Sequence, residues 1–166
     1  MTTTMNLVIT ILGLLFLTAS AHATRQITDP LEWKGETVYP ASGPTIWDAF
    51  PEKQKPKFDM DSTANWKGYG AKWGIKDDTL FLTSLDGRIG GKEVEISDLF
   101  PGKKPPIPAT WFSGTIIIPR GKEIGLLKRK ARYVYTKETH LTVKKGKLVK
   151  VEEKIFDPKK TPVWKI

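Results

Sequence analysis

The chain lacks cysteine altogether and has little histidine. Its 166 residues contain no cysteine and two histidines. The absence of cysteine excludes disulfides, thiolate nucleophiles and Cys-ligated zinc sites. Past the N-terminal segment only His140 remains, so sites built from several histidines are excluded there as well. A Ser-His-Asp triad would need His140, which we predict to be exposed on an outward strand face, and we therefore predict no catalytic residue and no cofactor.

Charged side chains are missing from the first 23 residues. An apolar run from Leu7 to Leu17 is followed by Ala21-His22-Ala23, which matches the small-residue pattern of a signal-peptidase site. The run is shorter than the about 20 residues that span a bilayer. We predict that residues 1–23 are a signal peptide and that the protein is periplasmic or secreted. Because this segment has no lysine or arginine before its apolar run, a membrane anchor formed by residues 7–23 is the alternative.

Motifs for metal or phosphate binding are weak. The segment GRIGG follows a predicted strand but does not introduce a helix, so it indicates a turn rather than a phosphate loop. Asp59 and Asp61 have the D-x-D spacing that can bind a hard cation, but the same residues also cap turns. Since no third oxygen ligand is implied, we interpret them as turn residues and predict no metal site.

Helical patterns are also scarce, and strand patterns dominate. Proline is absent from Lys57 to Phe100 and from Arg120 to Asp157, which favours uninterrupted strands there. The segment TIWDAFP has a capping-box pattern and predicts one short helix, whereas KEIGLLKRKAR is a weaker candidate for a second because of its glycine. We predict an all-β fold, an antiparallel meander that forms a sandwich or small open barrel of about seven strands, as a single domain over residues 24–166.

The segment NWKGYGAKWGIKDDTLFL predicts a hairpin with its turn at Asp77-Asp78. Strand alternation then separates its aromatic residues between two faces. Trp66 and Phe81 lie on the outer face, with Phe81 across from Gly74, and form a candidate aromatic surface. The residues that we place on the core face are Tyr69, Ala71, Trp73, Ile75, Leu80 and Leu82.

Two further segments predict strands. TWFSGTIIIP has apolar residues at both odd and even positions, which is typical of a central strand buried on both faces. ARYVYTKETHLTVKKGKLVKVEEKIF predicts three strands, the last two joined by an odd-length loop at Lys145-Gly146. That loop length would place four apolar residues on the core face: Leu141, Val143, Val149 and Val151. The outer face would carry His140, Thr142, Lys144, Leu148, Lys150 and Glu152.

Positive charge is concentrated in the C-terminal part. Residues 24–100 hold 10 lysines and arginines against 13 acidic residues, and residues 101–166 hold 17 against 5, within a net charge of +9. Such asymmetry indicates a surface that meets an anionic partner, although lysines also protect edge strands from aggregation. The residues that we predict to bind this partner are Lys128, Arg129, Lys130, Arg132, Lys144, Lys145, Lys147 and Lys150.

Three of these segments resemble a family of small uncharacterised bacterial proteins. The likeness lies in WKGYGAKWGIKDDTLFL, in LFPG (Leu99–Gly102) and in WFSGTIIIPRGK (Trp111–Lys122), which together cover about half of the predicted mature chain. The chain departs from that pattern at Lys67, where arginine is expected, and in its lysine-rich tail. The resemblance implies a compact β-rich domain and no particular activity.

Taken together, these patterns favour an exported, non-enzymatic binding domain that docks on an anionic macromolecule. The partner would be an acidic protein, a glycan or a lipid headgroup, and an inhibitor or immunity-type protein is one example of the class. Export argues against intracellular nucleic acid as the partner, and an uncleaved N-terminal segment would bring membrane contact. The alternative is a carbohydrate-active enzyme or sugar-binding protein of the cell envelope, which would use the exposed aromatic residues.

Overall fold

The strands form one large sheet and one small sheet. A computed structural model describes residues 25–127 and 132–164 of the chain. The large sheet contains β1 (Leu31–Trp33), β2 (Glu36–Val38), β3 (Tyr69–Lys76), β4 (Thr79–Ile89), β5 (Lys92–Glu95), β6 (Ile107–Pro108), β7 (Gly114–Pro119), β10 (Lys137–Lys144) and β11 (Lys147–Ile155). The small sheet contains β8 (Glu123–Leu127), β9 (Arg132–Tyr135) and β12 (Val163–Trp164). One α-helix, α1 (Ile96–Leu99), and two 3₁₀ turns, Trp47–Ala49 and Glu52–Gln54, complete the described elements.

The large sheet folds over its own core without closing into a barrel. Its strand order is β2-β1-β3-β4-β11-β10-β7, and β5 and β6 both pair with β4. Every pair is antiparallel except β1 with β3. The predicted all-β, sandwich-like fold is confirmed, with twelve strands in the described part of the chain rather than about seven. Many of the additional strands are only two to four residues long, too short to show alternation in the sequence.

The hairpin of β3 and β4 has the predicted register. Ile75 pairs with Leu80 and Trp73 with Leu82, around a two-residue turn at Asp77-Asp78. Both turn residues have positive φ, 48° and 53°, as a type I′ turn requires. The core face is confirmed for all six residues: Trp73, Leu80 and Leu82 are completely buried, and Ile75 is half-buried and packs against the core.

The strand β7 is buried on both faces but is not central. Ile116, Ile117 and Ile118 are all buried, as the apolar run predicted. Yet β7 ends the strand order, and its free edge is covered by a short bridge to Ser42, whose carbonyl accepts the Ile117 N–H at 2.8 Å. An irregular segment thus supplies the second neighbour that a regular strand was expected to supply.

The β10–β11 hairpin differs from its prediction. Lys144 pairs with Lys147, so the loop is the two-residue turn Lys145-Gly146 rather than an odd one. A β-bulge then shifts the register, so that Leu141 still lies opposite Val151. Leu141 is fully buried, whereas Val151 is 45% exposed. The predicted burial of Val149 and Val151 is therefore wrong: β4 pairs with β11 only at Lys147, and both valines remain about half exposed among the described residues.

Two helix predictions meet different outcomes. TIWDAFP forms only a 3₁₀ turn, in which the Thr45 hydroxyl accepts the Trp47 N–H at 3.2 Å. KEIGLL forms the strand β8, so a helix there is wrong. Gly125 has φ +139°, and a Cβ at this position would lie 2.5 Å from the Trp164 carbonyl oxygen. The glycine therefore serves the close approach of β12 rather than weakening a helix.

The predicted signal peptide, residues 1–23, lies outside the described residues. Among the residues that are described, no helix has the length and apolar character needed to cross a membrane.

Candidate functional site

Two hairpin tips meet at one end of the large sheet. The Leu148 N–H donates to the Asp78 carbonyl at 2.8 Å, and the Leu80 N–H donates to the Gly146 carbonyl at 2.8 Å. These bonds join the β3–β4 turn to the β10–β11 turn, and Lys147 pairs with Thr79 across the junction. The arrangement brings together lysines that lie far apart in the sequence.

We call this end of the molecule the hairpin-tip surface and define it by Lys76, Lys144, Lys145 and Lys147. All four side chains are exposed. The Lys147 Nζ donates to the Thr79 hydroxyl at 2.5 Å. Within residues 25–127 and 132–164, no carboxylate forms an ion pair with any of the four. Three of the predicted binding residues therefore share one surface with Lys76, which lies in the acidic part of the chain and was not among the predicted binding residues.

A groove of about 610 Å³ borders the hairpin-tip surface. Across its floor, Glu32 of β1 pairs with Gly74 of β3, and Gly74 pairs with Phe81 of β4. Gly74 has no side chain, so its backbone forms the floor between Glu32 and Phe81. Pro106 closes one side. The groove thus offers an apolar wall beside a carboxylate.

The charges in this groove balance. Its lining includes Lys76 and Lys147, and also Glu32 and Asp77. Two cations and two anions leave the groove without net charge. Lys144 at the end of β10 and Lys145 in the following turn add positive charge beside this mixed and partly apolar groove.

The other predicted basic residues are not at the tips. Lys128, Arg129 and Lys130 lie outside the described residues. Lys150 is exposed on β11, and its Nζ lies 2.9 Å from a Glu152 carboxylate oxygen. Arg132 is directed inward, where its side chain is only 15% exposed. Lys150 and Arg132 therefore have carboxylate partners within the protein, unlike the lysines of the hairpin-tip surface.

Arg132 belongs to a buried ionic cluster on β9 and β10. Its two terminal nitrogens donate to the two carboxylate oxygens of Glu138, at 2.8 Å and 3.1 Å. His140 Nε2 lies 2.7 Å from Glu138, and the Tyr135 N–H donates to the same carboxylate at 3.2 Å. Burial alone would raise the pKa of Glu138, but the hydrogen bonds from Arg132, His140 and Tyr135 hold it below its ordinary value.

The predicted exposure of His140 is wrong. His140 is only 7% exposed, and it lies beside Glu138, which is completely buried. The outer face of β10 is covered at this point because Arg132 and Tyr135 of β9 both reach Glu138. No local pattern around His140 signals this burial, since the covering residues depend on how β9 folds back.

The two residues of the predicted aromatic surface lie apart. Trp66 is 70% exposed and precedes β3, where its N–H donates to the Gln26 side chain at 3.1 Å. Phe81 lies opposite Gly74 near the other end of β3 and is half-buried in the groove. Phe81 therefore lines the groove together with Lys147, and Trp66 does not.

Asp59 has a structural contact in the described part of the chain. Its carboxylate accepts the N–H groups of Gly90 at 3.1 Å and Gly91 at 2.7 Å, and it thereby stabilises the turn between β4 and β5. In the same part of the chain, no group of three or more histidines and carboxylates is arranged to hold a metal ion.

Lys67 also has a structural contact. Its Nζ forms an ion pair with Asp29, and both side chains are largely buried. Asp29 also accepts the Ala71 N–H at 3.0 Å, so the pair fixes the segment before β1 against β3. Lys67, where the resemblance leads one to expect arginine, therefore has a structural role.

Comparison with known proteins gave no match to any family model, to any curated protein or to any solved structure.

Proposed function

We propose that the protein is an exported, non-enzymatic binding domain that docks on an anionic partner, namely an acidic protein, a glycan or a lipid headgroup. The observation that carries this proposal is the hairpin-tip surface, where Lys144 and Lys145 are exposed beside Lys76 and Lys147. Desolvating such lysines is unfavourable without an anion, and a partner that supplies one gains charge-assisted hydrogen bonds.

The geometry of the turn supports this proposal. Lys145 has φ +46°, and its N–H donates to the Ser113 hydroxyl at 2.8 Å. Gly146 donates its N–H to the Phe112 carbonyl at 2.9 Å. Because the backbone of the turn is held by these hydrogen bonds, little backbone conformational entropy is lost when its side chains engage a partner.

The test is retention of the purified protein on defined polyanions: polyglutamate, alginate and phosphatidylglycerol vesicles. We expect retention on at least one of them, and we expect it to fall steeply between about 50 and 200 mM salt, as ion-pair binding requires. Charge reversal at Lys144 and Lys145 should abolish it. Charge reversal at Lys128, Arg129 and Lys130 tests the part of the predicted site that lies outside the described residues. If the protein binds none of the three polyanions at low salt, the proposal is refuted.

Sugar binding is a second candidate, favoured by the mixed groove. Phe81 and Pro106 offer apolar surface next to Glu32 and Asp77, and sugars bind to such combinations of a ring face and hydrogen-bond acceptors. If this candidate is right, neutral oligosaccharides will bind with an affinity that does not depend on salt concentration, and Phe81→Ala will remove the binding. Trp66→Ala is the matched control, because Trp66 is exposed and does not line the groove.

A further inference from the structure

Among the described residues, the strand β11 has a free edge for most of its length. β4 pairs with it only at Lys147, and the Leu148 N–H makes the last bond to that side, to Asp78. Beyond this point the described residues place only β10 beside β11. We call residues 149–155 the β11 edge.

Backbone groups at this edge point outward in a fixed alternation. Ile117 directs its N–H and C=O toward Ala41 and Ser42, away from β10. His140, its partner on β10, therefore directs its backbone groups the other way, to Glu152 of β11.

The residues on either side of Glu152 then direct their N–H and C=O groups to the free side, and these are Val151 and Glu153. The same alternation includes Ile155, because the next residue, Phe156, donates its N–H to the Thr136 carbonyl at 2.9 Å. Unpaired backbone groups in such a row are a template for another strand.

Exposed apolar side chains accompany these groups. Val149 is 52% exposed, Val151 is 45% exposed and Ile155 is 83% exposed. Val151 lies opposite the buried Leu141, on the face of the sheet that covers the core. An added strand with apolar residues on that face would extend the core and cover Val151.

Charge selects the kind of strand that fits. Glu152 is paired with Lys150 at 2.9 Å, and Glu153 is paired with Lys137 at 3.2 Å. Lys154 is exposed and forms no ion pair with a described residue. The net charge of +9 opposes the approach of a second copy, whereas an acidic strand would be attracted to Lys154 and to the neighbouring hairpin-tip surface.

We propose that the β11 edge receives an extended strand of an acidic protein partner, which forms main-chain hydrogen bonds with Val151, Glu153 and Ile155. The inference rests on the proposed function and narrows its anionic partner from three classes to a polypeptide. The partner strand alternates apolar residues, which cover Val151 and Ile155, with acidic residues on the opposite face near Lys150 and Lys154.

The test uses two capped ten-residue peptides, one alternating valine with glutamate and one alternating valine with lysine. Binding to the purified protein is followed by calorimetry, and amide hydrogen exchange is followed by NMR. We expect the glutamate peptide to bind and to protect the amides of Val151, Glu153 and Ile155. The amides of Glu152 and Lys154 already bond β10 and should change little. The lysine peptide should not bind.

Proline substitution separates strand addition from charge attraction. Val151→Pro removes an outward N–H and leaves the bonds to β10 intact, so the fold should persist. Its affinity for the glutamate peptide should fall about tenfold or more, since a main-chain hydrogen bond and a close strand approach are both lost. Ile155→Pro makes the same test near the end of the strand if Val151→Pro fails to fold.

Each remaining outcome refutes the inference in a recognisable way. If the glutamate peptide binds without protecting these amides, or binds Val151→Pro and Ile155→Pro unchanged, the edge is not the site, although docking on an anion would survive. If alginate or anionic vesicles bind and the peptide does not, the partner is not a polypeptide. If sedimentation shows a dimer that Val151→Pro makes monomeric, a second copy occupies the edge. Absence of binding to every polyanion refutes the proposed function as well.

Discussion

At the scale of single residues, Glu138 shows how a buried charge is accommodated. A carboxylate without solvent would be strongly destabilising, but Glu138 has a bidentate partner in Arg132 and a third donor in His140. The cluster joins β9 to β10 and accounts for the burial of His140. It also explains why Arg132 differs from Lys144, Lys145 and Lys147, since its charge is engaged inside the protein.

Glu138→Gln tests this account. Removing the carboxylate leaves Arg132 without its charged partner, and we expect the free energy of unfolding at pH 7 to fall by about 3 kcal/mol, which urea denaturation can measure. The folded-state pKa of Glu138 is lowered from 4.5, so its contribution is fully present above pH 4.5 and is lost as the pH falls through the folded pKa. The difference between wild type and variant should therefore shrink in acid.

Glu93→Gln is the control for Glu138→Gln. Its side chain is 84% exposed and lies 3.6 Å from Arg88, so its removal should change stability little at any pH. Equal losses in the two variants would contradict the assigned role of Glu138.

At the scale of strands and turns, the sequence predicts the pairing of neighbouring strands well. It predicts poorly which side chains are buried by segments distant in the sequence. The β3–β4 hairpin has the expected register because alternation and turn chemistry agree within one segment. The loop of the β10–β11 hairpin was predicted wrongly because a β-bulge restores the alternation that a two-residue turn would break. KEIGLL forms a strand because Gly125 must admit Trp164, a residue 39 positions away.

The candidate site follows the same division. Alternation placed Phe81 on an outer face, and charge counting selected Lys144, Lys145 and Lys147. Neither revealed that the two hairpin tips meet, because the bonds between Asp78, Gly146 and their partners join distant segments. Lys76 and the groove were missed for that reason, and Trp66 was grouped with Phe81 although β3 separates them.

Gly146→Ala tests how the tips are held together. Gly146 has φ +75°, and an added Cβ would lie 2.8 Å from the Ala109 carbonyl oxygen. Gly35 has nearly the same φ, +77°, with nothing within 4 Å of an added Cβ. We expect Gly35→Ala to lower the free energy of unfolding by about 1 kcal/mol through backbone strain alone, and Gly146→Ala by about 2 kcal/mol more through the clash. Urea denaturation measures the free energy of unfolding of both variants. Equal losses would show that the turn relieves the clash by a small backbone shift.

At the scale of the whole molecule, acidic and basic residues are separated along the sequence, but the fold brings the two parts together in one sheet. The acidic first part supplies β1 to β5, and the basic second part supplies β6 to β12. The joined tips bring the Asp77-Asp78 turn of the first part to the same end of the sheet as the Lys145-Gly146 turn of the second. The field that a partner meets therefore depends on position and not on net charge alone.

Variants of equal net charge separate the local potential of the hairpin-tip surface from the net charge of the protein. Lys144→Glu/Lys145→Glu changes the hairpin-tip surface, and Lys53→Glu/Lys57→Glu makes the same change at exposed sites of the acidic part. Each pair lowers the net charge from +9 to about +5. Stopped-flow association with a fluorescent polyglutamate at about 50 mM salt should slow at least tenfold for the first variant and much less for the second, because local potential steers the encounter. Equal slowing would mean that net charge, and not the hairpin-tip surface, attracts the partner.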